Sequence, residues 1–543
     1  MVDTSYPLDN DSAATEEYAR LVSELLVPTA LVAIVVAVTA LAKRIGVLAP
    51  ILLVAAGIGL SYVPGVPTIV LNPELVLAGV LPPLLYVAAL QTSVPAFRFN
   101  LRPILLLAVG LVLFTTTVVG FTLHAVVPQI PLAAAFALGA IVAPPDAVAA
   151  TAIARRIGLP RRIVTILEGE SLVNDATALA VLRIAVAAAL GQAVSAVDIA
   201  GGFALAAIGG VVVGLGVAWV FAWLHCKTTD PLFDNTLSLL TPFATYAAAE
   251  AINASGVVAV VIAGLYLGNR WPILMSAASR LQMDAFWKMV RFLLESAVFL
   301  LVGLQLREIV RGLRVDFATV AWATLAVVGV VILARFAWLY PATYLARLVP
   351  RVRDRDPSPP LSIPTVIGWA GMRGVVTLAA AFSLPLQLGA DVPFPGRDLL
   401  VWLAFAVIAV TLLVQGLTLR GVVRALKVPR DNPTQDLLAE AAVQSQASQA
   451  ALARLDAEAD GAPPDVVQRL REHAEKRTNH AWERLGSQER ETPAHAYRRL
   501  RRSMLEAERD VFREARDAGR IPEEVMAQAQ RDLDLEESIL TRE

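Results

Sequence analysis

The sequence predicts an all-α, polytopic membrane protein with about thirteen transmembrane helices and a helical cytosolic tail. Three observations carry this. Of 543 residues, 56% are hydrophobic and only 17% charged, far from the balance of a soluble domain. From about residue 21 to 427 the charges cluster between long apolar runs, whereas beyond 430 the chain turns charge-rich. Finally, Lys and Arg concentrate in every second connection, as the positive-inside rule demands.

A bilayer core of roughly 30 Å needs about 20 apolar residues per helix. Thirteen stretches qualify: 24–42, 46–63, 73–93, 101–127, 130–154, 162–190, 198–224, 233–252, 254–269, 286–306, 316–346, 361–385 and 397–426. Basic residues follow the odd-numbered spans: Lys43 and Arg44, Arg98 and Arg102, Arg155, Arg156, Arg161 and Arg162, His225 and Lys227, Arg270 and Arg280, Arg347 to Arg355, and Arg420, Arg424 and Lys427. Only the tenth connection breaks the pattern, with Arg307, Arg311 and Arg314 beside Glu308 and Asp316. The expected division is an extracellular segment 1–23, a membrane domain 24–427 and a cytoplasmic tail 428–543. The N-terminus would lie outside and the C-terminus inside an inner (plasma) membrane. The acidic start (Asp3, Asp9, Asp11, Glu16, Glu17) does not make a cleavable signal peptide.

In the tail, Tyr497, Leu500, Met504, Leu505, Val511 and Phe512 recur at helical spacing among charges, and Ala462–Pro464 and Gly519–Pro522 read as breaks. Such a hairpin serves solubility or dimer contact. The lone Cys226 excludes an intrachain disulfide, and the five scattered histidines suggest no metal centre. No basic patch with interleaved aromatics points to nucleic acid, and no phosphate-binding glycine loop points to ATP.

Ionisable groups inside a span are expensive and by default mark an ion or substrate path. Span 6 has the densest set, Glu168-Gly-Glu170-Ser171-Leu-Val-Asn174-Asp175. Asp175 lies about 20 Å beyond Arg162 at 1.5 Å per residue, near the bilayer midplane. Ser171 and Asp175 are i,i+4 neighbours, as are Glu170 and Asn174. A structural hydrogen-bond network would explain Ser171 or Thr177 alone, but not three carboxylates and an amide within eight residues.

Span 5 carries Ala143-Pro144-Pro145-Asp146-Ala147-Val148. Two prolines remove two backbone donors and break the helix at membrane depth, where freed groups need protein or a wet cavity. A kink alone explains the prolines but not Asp146. Span 12 is interrupted too, by Pro364, Gly368, Gly371-Met372-Arg373-Gly374 and Pro385. Lying seven spans apart, the two run in opposite directions. Such a pair in inverted halves points to a secondary transporter's binding site. Arg373 needs an anion, and Glu170 at comparable depth is the expected partner, ahead of Glu168 or Asp146. Arg183, Glu250, Glu295 and Arg335 are further charges inside spans, divided between scaffold pairing and site periphery.

A hard alkali cation wants several oxygen ligands, and Asp175, Asp146, Ser171, Asn174 and the opened backbone at Ala143–Pro145 could supply them. Burial and a like-charged neighbour both favour a carboxylate's protonated form. A carboxyl group that binds either a proton or a cation, combined with alternating access, suffices for exchange.

The stretch Glu168 to Asp175 resembles the signature of monovalent cation:proton antiporters of the NhaP/NHE type. Ala143–Val148 is similar to that family's unwound-helix motif, Gly371–Gly374 to its later arginine motif, and Ser255–Ala259 also fits. The resemblance covers about 25–425. It implies thirteen helices, broken spans 5 and 12 crossing at their breaks, and a mobile six-helix core working as an elevator against a dimerisation domain in a homodimer. Asp175 takes the role of essential ion and proton carboxylate, with Ser171 and Asp146 assisting, and Glu170 and Arg373 as a structural ion pair. Asn174 stands where the electrogenic branch has a second aspartate, which implies electroneutral exchange of one Na⁺ (or K⁺ or Li⁺) for one H⁺. No cofactor is implied, and the chain is not expected to be an enzyme. A proton-linked solute carrier or channel on the same scaffold is the alternative. Two departures stand out: Pro145 and Ala147 flank Asp146 where relatives often have threonine and proline, and Val87 follows Tyr86 where they often have an acidic residue.

Overall fold

In a computed structural model the described residues are 10–64, 73–146, 150–151, 153–154, 157–192, 196–387, 392–483 and 493–542. Arg155, Arg156, Ala147 and Val148 of the motifs above, and the acidic Asp3 and Asp9, lie outside them. The chain forms two units, Met1–Arg430 and Asp431–Glu543.

Each of the thirteen apolar stretches is helical in the first unit. They are α1 (Asn10–Ile45), α2 (Ala49–Ser61), α3 (Leu75–Gln91), α4 (Leu101–Val126), α5 (Leu132–Val142), α6 (Arg161–Ala189), α7 (Ala196–His225), α8 (Pro231–Glu250), α9 (Gly256–Leu274), α10 (Ala277–Leu304), α11 (Phe317–Tyr344), the pair α12 (Ser362–Trp369) and α13 (Val375–Phe382), and α14 (Arg397–Ala425). Among the described residues, eight helices are long and apolar enough to cross a membrane unaided. Helix α1 starts fourteen residues before span 1 and α10 nine before span 10. In α1 the extra turns come from a polar, Ala- and Glu-bearing stretch with good helix propensity but too little hydropathy to count as membrane.

Two bundles organise these helices. Helices α1, α2, α3 and α7–α10 pack mainly on one another, and α4, α5, α6, α11, α12, α13 and α14 form the second group. Close backbone approach holds the first together. A methyl group at Gly57 of α2 would meet the Leu300 carbonyl of α10 at 2.2 Å, and one at Gly303 would meet the Val54 carbonyl at 2.2 Å. Only glycine permits that crossing, the way membrane helices associate when burial from water gives no drive between them. The bundles touch where α3, α9 and α10 of the first meet α6 and α13 of the second.

The second unit holds α15 (Pro433–Glu458), α16 (Pro464–Glu483), α17 (Pro493–Asp517) and α18 (Glu523–Arg542). The breaks anticipated at Ala462–Pro464 and Gly519–Pro522 separate α15 from α16 and α17 from α18. Leu505, Leu533 and Leu540 form the hairpin core with Phe512 against them. Arg501 donates to both carboxylate oxygens of Glu536 (2.6 and 2.7 Å), and Arg509 bonds Asp534 and Glu537 (2.7 and 2.8 Å).

Candidate functional site: two crossed broken helices facing Asp175

The Pro144-Pro145 break ends α5 at Val142, and Ala370–Gly374 separates α12 from α13. The two interruptions meet: the Asp146 amide donates to the Met372 carbonyl at 2.7 Å. Arg373, completely buried, donates Nε to the Val142 carbonyl (2.9 Å), Nη2 to that of Ala143 (3.2 Å), and Nη1 to that of Gly371. These are the carbonyls left over where α5 and α12 stop, the negative ends of their dipoles. At the opposite pole, α13 begins at Val375 behind Gly374. The Asp146 carboxylate lies so close to Gly374 that a methyl group there would meet its Oδ2 at 2.1 Å. The crossing thus sets a cation on carbonyl ends and a carboxylate beside an amide end, satisfying the backbone opened at the two breaks. The backbone amide of Arg373 is fixed by Thr411 Oγ1 at 3.0 Å, from a π-helical turn of α14.

This geometry corrects the expected Glu170–Arg373 ion pair. Glu170 is bonded in fork geometry to Arg335 of α11, Nη1 to Oε1 at 2.6 Å and Nη2 to Oε2 at 2.8 Å, with both side chains 1% exposed. Arg335 Nε also donates to the Ile367 carbonyl at the end of α12 (3.2 Å). Arg373 is drawn instead to the freed carbonyls, a requirement that exists only once the breaks cross. Gly371 lies between the two guanidiniums, and a methyl group there would be 2.8 Å from Arg335 Nε and 3.1 Å from Arg373 Nη1. Arg335 was visible in the sequence as a buried charge, but nothing in one dimension names its partner. Two other charges inside spans also find scaffold roles. Arg183 pairs with Glu250 at 3.1 Å, and Glu250 accepts from the Gly256 amide at 3.4 Å at the start of α9.

Helix α6 faces the crossing. Asn174, wholly buried, donates Nδ2 to the Pro145 carbonyl at 3.1 Å, while its Oδ1 receives no hydrogen bond within the described structure. Asp175, 6% exposed, borders a cavity of about 810 Å³ counted to its open mouth, which Asp146, Ser171, Glu168 and Thr151 also line. On its other side Asp175 borders a second space of about 210 Å³ walled by Ile141, Pro144, Ala178, Leu182 and Val376. Asp175, Asp146, Ser171 and Asn174 are therefore brought together, with Glu170 and Arg373 behind them. The far wall of the larger cavity comes from the other bundle, through Arg291 and Glu295 of α10 and Gln91 of α3. Glu295 is among the charges singled out within spans; Arg291, within the same span 286–306, is not, since nothing in the sequence shows that it lines a cavity.

The model of the transmembrane sodium/hydrogen exchanger family matches residues 30–425. The chain belongs to this family. It is an antiporter, a membrane transporter and not an enzyme. It is 37% identical over 533 residues to an uncharacterised Na⁺/H⁺ exchanger of Mycobacterium tuberculosis, covering 95% of this chain and 96% of that one. A sodium, potassium, lithium and rubidium/H⁺ antiporter of Bacillus subtilis is 35% identical over 380 residues, 67% of this chain and 56% of its own length. Among solved structures, the sodium proton antiporter MjNhaP1 of Methanocaldococcus jannaschii shares the fold, with a TM-score of 0.59 at 18% identity over 75% of this chain and 99% of that one.

Proposed function

We propose that this exchanger trades one alkali cation for one proton at Asp175, the two competing for the same carboxylate. The observation that carries it is the position of Asp175: a buried acid at the head of a cavity, beside crossed helix breaks and a second carboxylate, Asp146. Two neighbouring carboxylates in low dielectric resist double ionisation, so the site holds a proton when it lacks a cation. Ser171, Asp146 and the unpartnered Asn174 Oδ1 are the further oxygens, suiting a hard cation. Glu170, Arg335 and Arg373 hold the site without meeting the ion.

Na⁺ is the substrate the family name supports, and the Bacillus relative extends the class to K⁺ and Li⁺. The neutral Asn174 next to Asp175 supports electroneutral 1:1 exchange. The bundle of α4–α6 and α11–α14 would slide as an elevator against the other, which would also form the homodimer contact. The smaller apolar space behind Asp175 would be the path closed in this state. Basic connections alternating along the chain support a cytoplasmic tail and an N-terminus outside.

The test uses proteoliposomes with an imposed pH gradient and an internal pH dye. Adding Na⁺, K⁺ or Li⁺ collapses the gradient in wild type and leaves it standing in Asp175→Ala; equal collapse in both ends the proposal. Clamping the membrane potential leaves the rate unchanged if exchange is electroneutral, and a potential-dependent rate rules that out.

A further inference from the structure

The cavity that reaches Asp175 has two walls of different ownership. Glu168, Ser171 and Asp175 come from α6 in the bundle of broken helices, and facing them are Arg291 and Glu295 of α10 and Gln91 of α3. Arg291 Nε donates to Glu295 Oε1 at 2.5 Å, and its Nη1 reaches Gln91 Oε1 at 3.4 Å. The two side chains are 28% and 21% exposed, so the pair is neither sealed into the scaffold like Glu170–Arg335 nor free in solvent.

A fixed guanidinium is an odd neighbour for the path of a cation. Coulomb repulsion between unit charges is strong where water is scarce, and it would oppose passage unless something cancels it. Glu295 does so in this structure, leaving the wall near neutral. The order of the pair along the helix matters too. With arginine on the N-terminal side of glutamate at i,i+4, it is in the weaker of the two orientations and opens more readily than the reverse. An alkali cation entering the cavity can therefore take the place of the guanidinium on Glu295.

We propose that Arg291 and Glu295 form an electrostatic gate, Arg291 acting as a built-in competitor that an incoming alkali cation displaces from Glu295 on its way to Asp175. The inference rests on exchange at Asp175 as proposed above. Glu295 is then a transient ligand, Arg291 sets how much cation is needed to open the path, and Gln91 holds the displaced guanidinium. Because α10 belongs to the bundle that does not carry Asp175, the gate stays behind when the site moves and acts on one face of the membrane only.

The experiment is initial-rate Na⁺/H⁺ exchange in proteoliposomes of the full chain, reading KM and kcat separately. Arg291→Gln removes the competitor and is expected to lower KM for Na⁺ about fivefold, with kcat moving less. Glu295→Gln leaves the cation unpaired on the path and is expected to raise KM about tenfold. Arg291→Lys, which restores a cation, returns KM toward wild type. A purely structural pair would move both KM values the same way or lower kcat alone. That result, with Asp175→Ala still inactive, overturns the gate and leaves the exchange site standing. Exchange surviving in Asp175→Ala overturns the site instead. If Arg291→Gln fails to reach the membrane, Arg291→Met replaces it: it removes the competitor while leaving the Glu295 carboxylate in place and lowers KM, and an unchanged KM rejects the gate.

Discussion

Replacing Arg335 with methionine tests the pairing inside the α6–α11 contact. Arg335 makes two hydrogen bonds to Glu170 and one to the Ile367 carbonyl, all at 3.2 Å or less, and is 1% exposed. Breaking such a pair strands a charge in low dielectric, which costs about 3–5 kcal/mol. With roughly 1 °C per kcal/mol for a chain this large, apparent melting in detergent should fall by about 3–5 °C. Glu170→Leu should be at least as damaging, because it leaves Arg335 and Arg373 against Gly371 with no carboxylate between them. The double variant replaces a buried ion pair by apolar groups of similar volume, which is often close to neutral. It should therefore recover most of the summed single effects, on the order of 6 kcal/mol. The assay is thermal unfolding followed by tryptophan fluorescence for the four proteins. Additivity within about 0.5 kcal/mol would refute the pairing as an energetic unit.

Two further outcomes follow from particular contacts. Gly374→Ala places a methyl group 2.1 Å from Asp146 Oδ2 and 2.6 Å from its Cβ and Cγ. The carboxylate must move, so proteoliposome exchange should fall by on the order of tenfold or more while detergent-extracted protein stays folded. In the tail, the Arg501 guanidinium bonded to both oxygens of Glu536 holds that carboxyl below its usual 4.5. A lowered folded value means the unfolded hairpin binds more protons, so the stabilisation is complete above about pH 4.5 and is lost as pH falls through the folded value. The pair is 43% exposed on the Glu536 side, so solvent screening keeps its contribution small. Hydrogen exchange at α17 and α18 should be up to about fivefold faster in Glu536→Gln at neutral pH, and the difference should vanish in acid.

The helical stretches were readable because a membrane span must satisfy its backbone internally and cover about 30 Å with apolar side chains. That requirement is local, so composition and periodicity reveal it. The breaks were readable for the same reason: Pro144-Pro145 and Gly371–Gly374 violate a local rule at a depth where violation is costly. Helix limits were less legible where polar residues continue a helix past the apolar stretch, as before Pro28 in α1 and between Ala277 and Phe286 in α10. Ser171, Asn174 and Asp175 stand out in the sequence as part of the densest polar set within a span, and Asp146 as the acid beside the break in span 5; the fold gathers them around one crossing.

By itself, then, the chain determined which segments are helices, where two of them break, and which side chains are too polar for their surroundings. Partnership was a matter for tertiary structure. Arg373 and Arg335 are both lone cations in apolar helices, and depth alone favoured Arg373 for Glu170. Only the crossing of α5 with α12 and α13 creates the cluster of unpaired carbonyls that claims Arg373, leaving Glu170 to Arg335 of α11. The opposing wall of the cavity arose the same way. Arg291 and Glu295 become part of an ion's path because α10 packs across from α6, a relation between bundles that sequence spacing does not encode.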